Sequence, residues 1–137
     1  MRILIVEDEP LIVWMLADSL EDAGHEVVGR AATMAEALAL CEGAPLPELA
    51  LLDIKLRDGS NGADVARALL ERWGVQSIFT SAHVTEAQRA EGVALGCIRK
   101  PYRAETVLRG VEVAREVMGG RMPRHVPAGL ELFSATE

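Results

Sequence analysis

The stretch Pro47-Glu48-Leu49-Ala50-Leu51-Leu52-Asp53 decides how the rest of this chain is interpreted. It is a short apolar run that follows a proline and ends in a single carboxylate, and the turn-forming sequence Asp58-Gly59-Ser60-Asn61-Gly62 comes soon after it. An apolar run of this length, without polar alternation, is typical of a strand buried on both faces of a parallel sheet. Asp53 would then lie at the carboxyl end of that strand, at the edge where open α/β sheets bind ligands.

Length and composition indicate one ordinary globular domain. The chain has 137 residues, of which 50% are hydrophobic and 26% charged, so it is long enough to bury a sizeable core. A net charge of −7 argues against nucleic-acid binding, which needs a basic face. The sequence has neither a signal-peptide pattern nor an apolar run of the roughly 20 residues that span a membrane. Cys41 and Cys97 have no metal-ligand spacing, and we expect a cytoplasmic protein with reduced thiols that does not bind membranes.

Apolar runs that end in polar residues recur along the chain. The predicted strands are Ile3 to Val6, His25 to Gly29, Pro47 to Asp53, Val75 to Thr80 and Cys97 to Arg99. The predicted helices run from Pro10 to Ala23, from Thr33 to Cys41, from Ala63 to Trp73, from Glu86 to Leu95 and from Val107 to Met118. The second helix begins with the capping-box spacing Thr33-Met34-Ala35-Glu36. Alternating strands and helices predict an α/β fold with a parallel sheet, right-handed crossovers and helices on both faces.

The domain is predicted to end at residue 119, where two glycines follow the last helix. The remaining tail, 120–137, contains an apolar patch at Leu130, Leu132 and Phe133. Two interpretations of the tail stay open. It is a flexible terminus, or Leu132 and Phe133 dock loosely on the domain or on a partner.

The carboxyl ends of the first, third, fourth and fifth strands converge on one edge of such a sheet. We therefore expect Glu7, Asp8, Asp53, Ser81 and Lys100 to share one crevice. Carboxylates that lie close together repel each other unless a cation joins them. Oxygen ligands without His or Cys suit Mg²⁺ or Mn²⁺. With a lysine ammonium and a hydroxyl added, the group predicts a site for phosphoryl transfer.

Each of these motifs also has a simpler explanation. The acids Glu7-Asp8-Glu9 can stabilise the N-terminus of the helix that follows. Lys100-Pro101 can be only a turn, and the Ser81 hydroxyl can bond to nearby backbone. Their joint placement at the ends of separate strands favours the site.

Taken in order, the acidic pair Glu7-Asp8, then Asp53, Ser81-Ala82 and Lys100-Pro101-Tyr102 resemble the receiver domain of bacterial two-component response regulators. The resemblance covers residues 2–119 and implies the flavodoxin-like fold of chemotaxis receivers. In that (βα)5 fold, five parallel strands have the order 2-1-3-4-5. It also implies that Asp53 accepts a phosphoryl group from a phosphohistidine.

By the same resemblance, Asp8, Asp53 and the backbone carbonyl of Lys55 hold Mg²⁺. Glu7 is expected to act on the ion through a water molecule.

The resemblance also assigns roles to residues around the phosphoryl group. Lys100 binds a phosphoryl oxygen and forms a cis peptide bond with Pro101, and Ser81 turns toward the phosphoryl group on activation. Lys55 and His83 follow the acceptor and the hydroxyl by two residues, where an attacking water must approach. We hypothesise that these two side chains set the lifetime of the acyl phosphate.

Two positions depart from the family pattern. The residue three before Lys100 is usually aromatic and is Cys97 here, which is too small to couple to the hydroxyl loop in the usual way. Arg57 stands where a proline is common.

An apolar group of side chains on the first helix, Leu11, Trp14 and Met15, faces away from the core stripe and toward the site. These residues are either peripheral core or a docking patch for the phosphodonor.

The resemblance implies a single-domain response regulator, a signalling phosphoacceptor rather than an enzyme, which is a monomer or a weak dimer. Its phosphodonor is expected to be a histidine kinase or a histidine phosphotransfer protein, and it acts by binding a downstream partner or as a phosphate sink. One alternative is a phosphorylation-independent binding or dimerisation module, whose usual sign is loss of the acceptor or the lysine. Another is an acid phosphatase, which needs a general acid at the position of Lys55.

Overall fold

A computed structural model describes residues 1–43, 45–90 and 92–133. The strands are β1 (Arg2–Val6), β2 (Glu26–Ala31), β3 (Leu49–Asp53), β4 (Gln76–Ser81), β5 (Gly96–Arg99) and β6 (Leu130–Leu132). The helices are α1 (Pro10–Asp22), α2 (Met34–Cys41), α3 (Gly62–Trp73), α4 (Glu86–Ala90) and α5 (Ala104–Met118).

The described strands form one sheet of order β2-β1-β3-β4-β5-β6. The first five strands are parallel to one another, which confirms the predicted flavodoxin-like fold and the order 2-1-3-4-5. The sixth strand runs antiparallel to β5 and was not predicted. Three residues are too few for a periodic strand signal, so only the pairing with β5 reveals it.

The central strand β3 has all five residues buried. Leu49 and Leu51 pack in one core cluster with residues of α1 and α5, and Ala50 and Leu52 pack in a second cluster with residues of α2 and α3. Successive side chains point to opposite faces of a strand, so a strand covered on both faces needs an uninterrupted apolar run. This confirms the interpretation of the stretch before Asp53.

Local signals define the start of α2. The Thr33 hydroxyl accepts a hydrogen bond from the backbone N–H of Glu36 at 3.1 Å. The Glu36 carboxylate accepts one from the N–H of Ala32 at 2.7 Å. The predicted capping motif is therefore present, with the return bond one residue earlier than in the usual capping box.

The predicted helix from Glu86 to Leu95 is wrong in its second half. The helix α4 covers only Glu86–Ala90, and Gly92 has a positive φ of 69°, a conformation that cannot continue a helix. The apolar residues that suggested a longer helix lie in a buried loop, and Leu95 already donates a backbone hydrogen bond to Ser77 of β4 at 2.8 Å.

Part of the tail lies in the same sheet as the domain. Leu130 is buried, Leu132 is paired with Gly96, and the Phe133 ring lies 6.3 Å from the Phe79 ring. The boundary at residue 119 and the flexibility of the tail stay predictions. None of the described helices is long and apolar enough to cross a membrane.

Candidate acidic site at the carboxyl edge of the sheet

Three carboxylates meet where β1 and β3 end. Val6 is paired with Leu52, so Glu7 comes level with Asp53, and Asp8 follows. One oxygen from each of these acids lies within 4.8 Å of the other two. Glu7 and Asp53 are buried, with 3% and 7% of their surface exposed, although both are acids.

Lys100 completes the cluster from the end of β5. Its Nζ lies 3.1 Å from Asp53 Oδ2 and 3.4 Å from Glu7 Oε1. Its backbone N–H donates to the Ser81 carbonyl at 2.9 Å, which aligns the ends of β4 and β5. The peptide bond between Lys100 and Pro101 is cis, as the resemblance predicts.

The site carries an excess of negative charge. Burial raises the pKa of Glu7, the charge of Asp53 raises it further, and Lys100 offsets only part of this. Burial by itself would lower the pKa of Lys100, but its hydrogen bond to Asp53 and the charge of Glu7 outweigh burial and raise it. One ammonium therefore faces carboxylates that repel each other, and a divalent cation would relieve that repulsion.

The donor atoms fit a hard cation. Glu7, Asp8 and Asp53 offer carboxylate oxygens, which are the ligands that Mg²⁺ and Mn²⁺ prefer. Lys55 lies beside them, because its backbone N–H donates to Asp53 Oδ1 at 3.2 Å. That its carbonyl is a ligand, and that Glu7 acts through water, stay predictions.

A cavity of about 360 Å³ opens beside Asp53 and Lys100, and Lys55, Ser81 and His83 line it as well. The Ser81 hydroxyl donates to the His83 carbonyl at 2.8 Å and accepts from the His83 N–H at 3.2 Å. Ser81 thus lies in the crevice expected from the sequence, with its hydroxyl bonded to its own loop.

The apolar residues of α1 lie outside the acidic cluster. Leu11 is 81% exposed and Trp14 is 64% exposed, so neither belongs to the core. Met15 is half-buried and lines an apolar cavity of about 420 Å³ together with Lys100 and Tyr102. The patch is therefore adjacent to the site, and its role in binding a phosphodonor stays a prediction.

Sequence reasoning missed the contacts of Arg57. Its backbone N–H donates to Asp8 Oδ2, and its guanidinium pairs with Glu9 at 2.5 Å. A proline at this position would have no N–H to donate. The lack of the usual proline at position 57 indicated that this residue is unusual. It could not reveal the contact with Asp8, because the two residues lie 49 positions apart along the chain.

Gly62 and Tyr102 were noted in the sequence, but what they do at the site was not predicted. A Cβ atom on Gly62 would lie 2.4 Å from the Asp53 carbonyl oxygen, so only glycine fits against the acceptor's backbone. The Tyr102 hydroxyl is buried without a hydrogen-bond partner among the described residues. Burial raises its pKa, and the charges of Glu7 and Asp53 raise it further.

Fold and site together define a class of protein. In this class, a doubly wound parallel sheet carries acids and one lysine around a single aspartate at its carboxyl edge, which is the edge where such sheets bind ligands. The family model for the response regulator receiver domain matches residues 3–112. The chain belongs to the response regulator receiver family, whose members are two-component signalling proteins rather than enzymes in the usual sense.

Known relatives agree with this assignment. The phyllosphere-induced regulator PhyR of Methylorubrum extorquens is 40% identical over 109 residues, which are 77% of this chain and 40% of PhyR. The transcriptional regulatory protein PdtaR of Mycobacterium tuberculosis is 34% identical over 116 residues, which are 82% of this chain and 56% of PdtaR. The chain therefore spans about half or less of the length of these relatives.

Solved structures show the same likeness. The receiver domain of Erythrobacter litoralis PhyR, determined by NMR, matches with a TM-score of 0.74 at 34% identity and covers 83% of this chain and 88% of that one. A PhyR variant of Bartonella quintana, described as an anti-anti-sigma factor, matches with a TM-score of 0.75 at 30% identity, covering 87% and 50%. A CheY-like receiver of Methanospirillum hungatei matches with a TM-score of 0.74 at 29% identity, covering 87% and 96%.

Proposed function

We propose that this chain accepts a phosphoryl group on Asp53 from a phosphohistidine, in Mg²⁺-dependent phosphorelay signalling. The observation that carries the proposal is the position of the Asp53 carboxylate. It lies 3.1 Å from the Lys100 ammonium and within 4.8 Å of the oxygens of Glu7 and Asp8. With a divalent cation held by those acids, positive charge would lie on both sides of the Asp53 carboxylate, and a phosphoryl acceptor needs this because the incoming group is itself negative.

In the proposed transfer, a carboxylate oxygen of Asp53 attacks phosphorus while the P–N bond of the phosphohistidine breaks. The electron pair of that bond stays with the departing imidazole, and an acyl phosphate remains on Asp53. Lys100 binds a phosphoryl oxygen as a point charge on a flexible stem. When bound by Asp8, Asp53 and the Lys55 carbonyl, Mg²⁺ supplies positive charge to the phosphoryl oxygens.

The decisive experiment is phosphorylation of the full chain by acetyl phosphate with Mg²⁺, followed by intact mass. We expect the wild type to gain the mass of one phosphoryl group, and we expect Asp53→Asn and an EDTA-treated sample to gain none. Equal labelling of the wild type and Asp53→Asn would refute Asp53 as the acceptor. No labelling at all would favour the alternative of a phosphorylation-independent binding or dimerisation module.

Lys55 and His83 line the cavity beside Asp53 and have exposed side chains. We infer that they limit the approach of water to the acyl phosphate. Replacing both with alanine should shorten its lifetime, measured by loss of label after removal of the donor. An unchanged rate of autodephosphorylation would exclude this role.

The phosphodonor is inferred to be a histidine kinase or a histidine phosphotransfer protein that docks on Leu11, Trp14 and Met15. Apolar side chains that are this exposed beside a site favour a protein contact. Trp14→Ala should slow transfer from a phosphorylated protein donor and leave the rate with acetyl phosphate unchanged. Met122→Ala, which removes another highly exposed apolar side chain, serves as the control and should change neither rate.

The proposed output is phosphorylation-dependent binding of a partner protein, by analogy with the PhyR that is described as an anti-anti-sigma factor. A phosphate sink is the alternative and needs only the chemistry of the site. If phosphorylation changes a surface that binds a partner, beryllofluoride with Mg²⁺ should shift the NMR signals of residues between 97 and 118. Signals that stay unchanged in that region would favour the sink.

A further inference from the structure

The strand β6 covers the edge of β5. The register pairs Gly96 with Leu132, Cys97 with Glu131 and Ile98 with Leu130. The N–H of Arg99 donates to the Gly129 carbonyl at 2.8 Å, and the N–H of Phe133 donates to the Leu95 carbonyl at 2.9 Å. Without this segment, the backbone groups on the outer side of β5 would form an open edge.

A small set of side-chain contacts holds β6 in place. Leu130 is buried at 7% exposure in the core cluster shared with α5. The Arg89 guanidinium donates to both carboxylate oxygens of Glu131, at 2.5 and 3.1 Å, and joins β6 to α4. Both of these side chains are more than a third exposed, so the pair is worth little by itself. A three-residue strand on an edge belongs to the least stable part of a fold.

The same ion pair borders the loop beside the phosphoacceptor. A cavity of about 210 Å³ is lined by Ser81, His83, Arg89, Cys97 and Glu131, among others. Ser81 and His83 also line the cavity beside Asp53. The small side chain of Cys97 is among the groups that line the cavity of about 210 Å³.

A phosphoryl group on Asp53 would bring strong acceptor oxygens into the cavity where Ser81 carries a hydroxyl. That hydroxyl now donates to His83. If it donates to the phosphoryl group instead, the loop loses the bond that holds it and moves. The loop continues into α4, which carries Arg89, so movement of the loop would disturb the Arg89–Glu131 pair.

We propose that residues 129–133 form a releasable edge strand, whose docking on β5 is coupled to the phosphoryl state of Asp53 through the Arg89–Glu131 pair. The proposal rests on the proposed function, because the signal it transmits is phosphorylation of Asp53. Coupling between two sites is reciprocal. Weakening the docking of the strand must therefore strengthen the binding of a phosphoryl mimic at Asp53.

Two neighbouring amides test the release. The N–H of Arg99 donates to Gly129 in the tail, whereas the N–H of Lys100 donates to Ser81 in β4, at 2.9 Å. Amide hydrogen exchange of the full chain, followed by NMR, therefore separates release of β6 from opening of the sheet. With Mg²⁺ and beryllofluoride we expect exchange of the Arg99 and Phe133 amides to accelerate by on the order of fivefold, about the largest factor that one exposed ion pair supplies. The Lys100 amide should keep its protection.

Variants check the link. Glu131→Gln removes the charge of the pair, and its Arg99 amide should exchange fast without beryllofluoride. Glu105→Gln, an exposed acid in the first turn of α5, is the matched control and should behave as the wild type. Beryllofluoride should bind Glu131→Gln at a lower half-saturating concentration than the wild type and bind Glu105→Gln at an unchanged one, and equal affinities in all three proteins would overturn the coupling.

The possible failures are distinguishable. If acetyl phosphate labels Asp53 but Arg99 and Phe133 keep their protection with beryllofluoride, the coupling is wrong and the proposed function stands. If Arg99 and Lys100 exchange faster together, the whole sheet edge opens and a specific release of β6 is wrong. If Asp53 is never labelled, the proposed function fails and the coupling fails with it.

Discussion

At the residue scale, Glu7 is a buried acid beside another acid. Burial raises its pKa, Asp53 raises it further, and Lys100 lowers it only in part. Ionised Glu7 therefore costs the metal-free protein stability. Perturbed acids of this kind concentrate at functional sites, where a ligand can recover the cost.

The raised pKa of Glu7 predicts that the stability of the protein depends on pH. In the folded protein the pKa of Glu7 is raised above its ordinary value of 4.5, which applies to the unfolded chain. Its contribution to stability is therefore present below pH 4.5 and is lost as the pH rises through the folded-state pKa. Glu7→Gln does not titrate, so without Mg²⁺ its free energy of unfolding should exceed that of the wild type by a margin that grows toward neutral pH. Urea unfolding in EDTA at several pH values measures the margin.

The exposed Glu21 of α1 provides the control for this measurement. Glu21→Gln should show a margin that stays nearly constant over the same pH range. If the gain in unfolding free energy of Glu7→Gln over the wild type shrinks with rising pH, the pKa of Glu7 is not raised in the folded protein.

Gly62 predicts a steric effect on the acceptor. In Gly62→Ala, the new Cβ atom would lie 2.4 Å from the Asp53 carbonyl oxygen and 2.8 Å from the Ile54 Cα. Backbone atoms cannot move away cheaply, so we expect a loss of stability of about 1–3 kcal/mol and slower labelling by acetyl phosphate. Gly43→Ala is the matched control, since its Cβ atom would lie 3.8 Å from the Leu40 carbonyl oxygen. If urea unfolding shows equal losses of stability for the two substitutions, the contact with the Asp53 backbone is not what makes Gly62→Ala unstable.

At the scale of the element, α2 depends on its cap. Thr33→Ala removes the hydroxyl that accepts from the Glu36 N–H and should cost about 1 kcal/mol of stability. Thr33→Ser keeps the hydroxyl and should cost much less. Labelling by acetyl phosphate should be unchanged in both variants, because Thr33 lies outside the acidic cluster. Chemical denaturation measures the stability of both variants. An equal loss of stability in the two would indicate that Thr33 contributes through packing rather than through its capping hydrogen bond.

Elements with strong local signals could be predicted from the sequence, and those with weak signals could not. The cap at Thr33 and the buried run of β3 are properties of consecutive residues, so both were found. The end of α4 was misplaced because the buried apolar residues Val93 and Ala94 resemble part of a helical stripe when read locally, whereas the positive φ of Gly92 is visible only in the structure. The strand β6 was missed because it is defined by its pairing with β5.

At the scale of the whole molecule, the predicted cation site links ligand binding to stability. A ligand that binds only the folded state stabilises it by about 2.7 kcal/mol at a concentration of 100 times Kd. Mg²⁺ should therefore raise the unfolding temperature of the wild type in a concentration-dependent way. Asp8→Asn should lose most of that response, whereas Asp18→Asn, an exposed acid on α1, should keep it. An equal response in both variants would place the ion elsewhere.

The sequence by itself determined the fold class and the order in which acids, hydroxyl and lysine follow the strands. The physical reason is that a strand covered on both faces must be apolar throughout, and parallel strands bring their carboxyl ends to one edge. Only the tertiary structure decided that Arg57 binds Asp8, that Gly62 packs on the backbone of Asp53 and that Glu131 holds β6 against Arg89. The partners in the first and last of these contacts are far apart along the chain, and all three contacts depend on the exact approach of folded segments. No local pattern of residues encodes that approach.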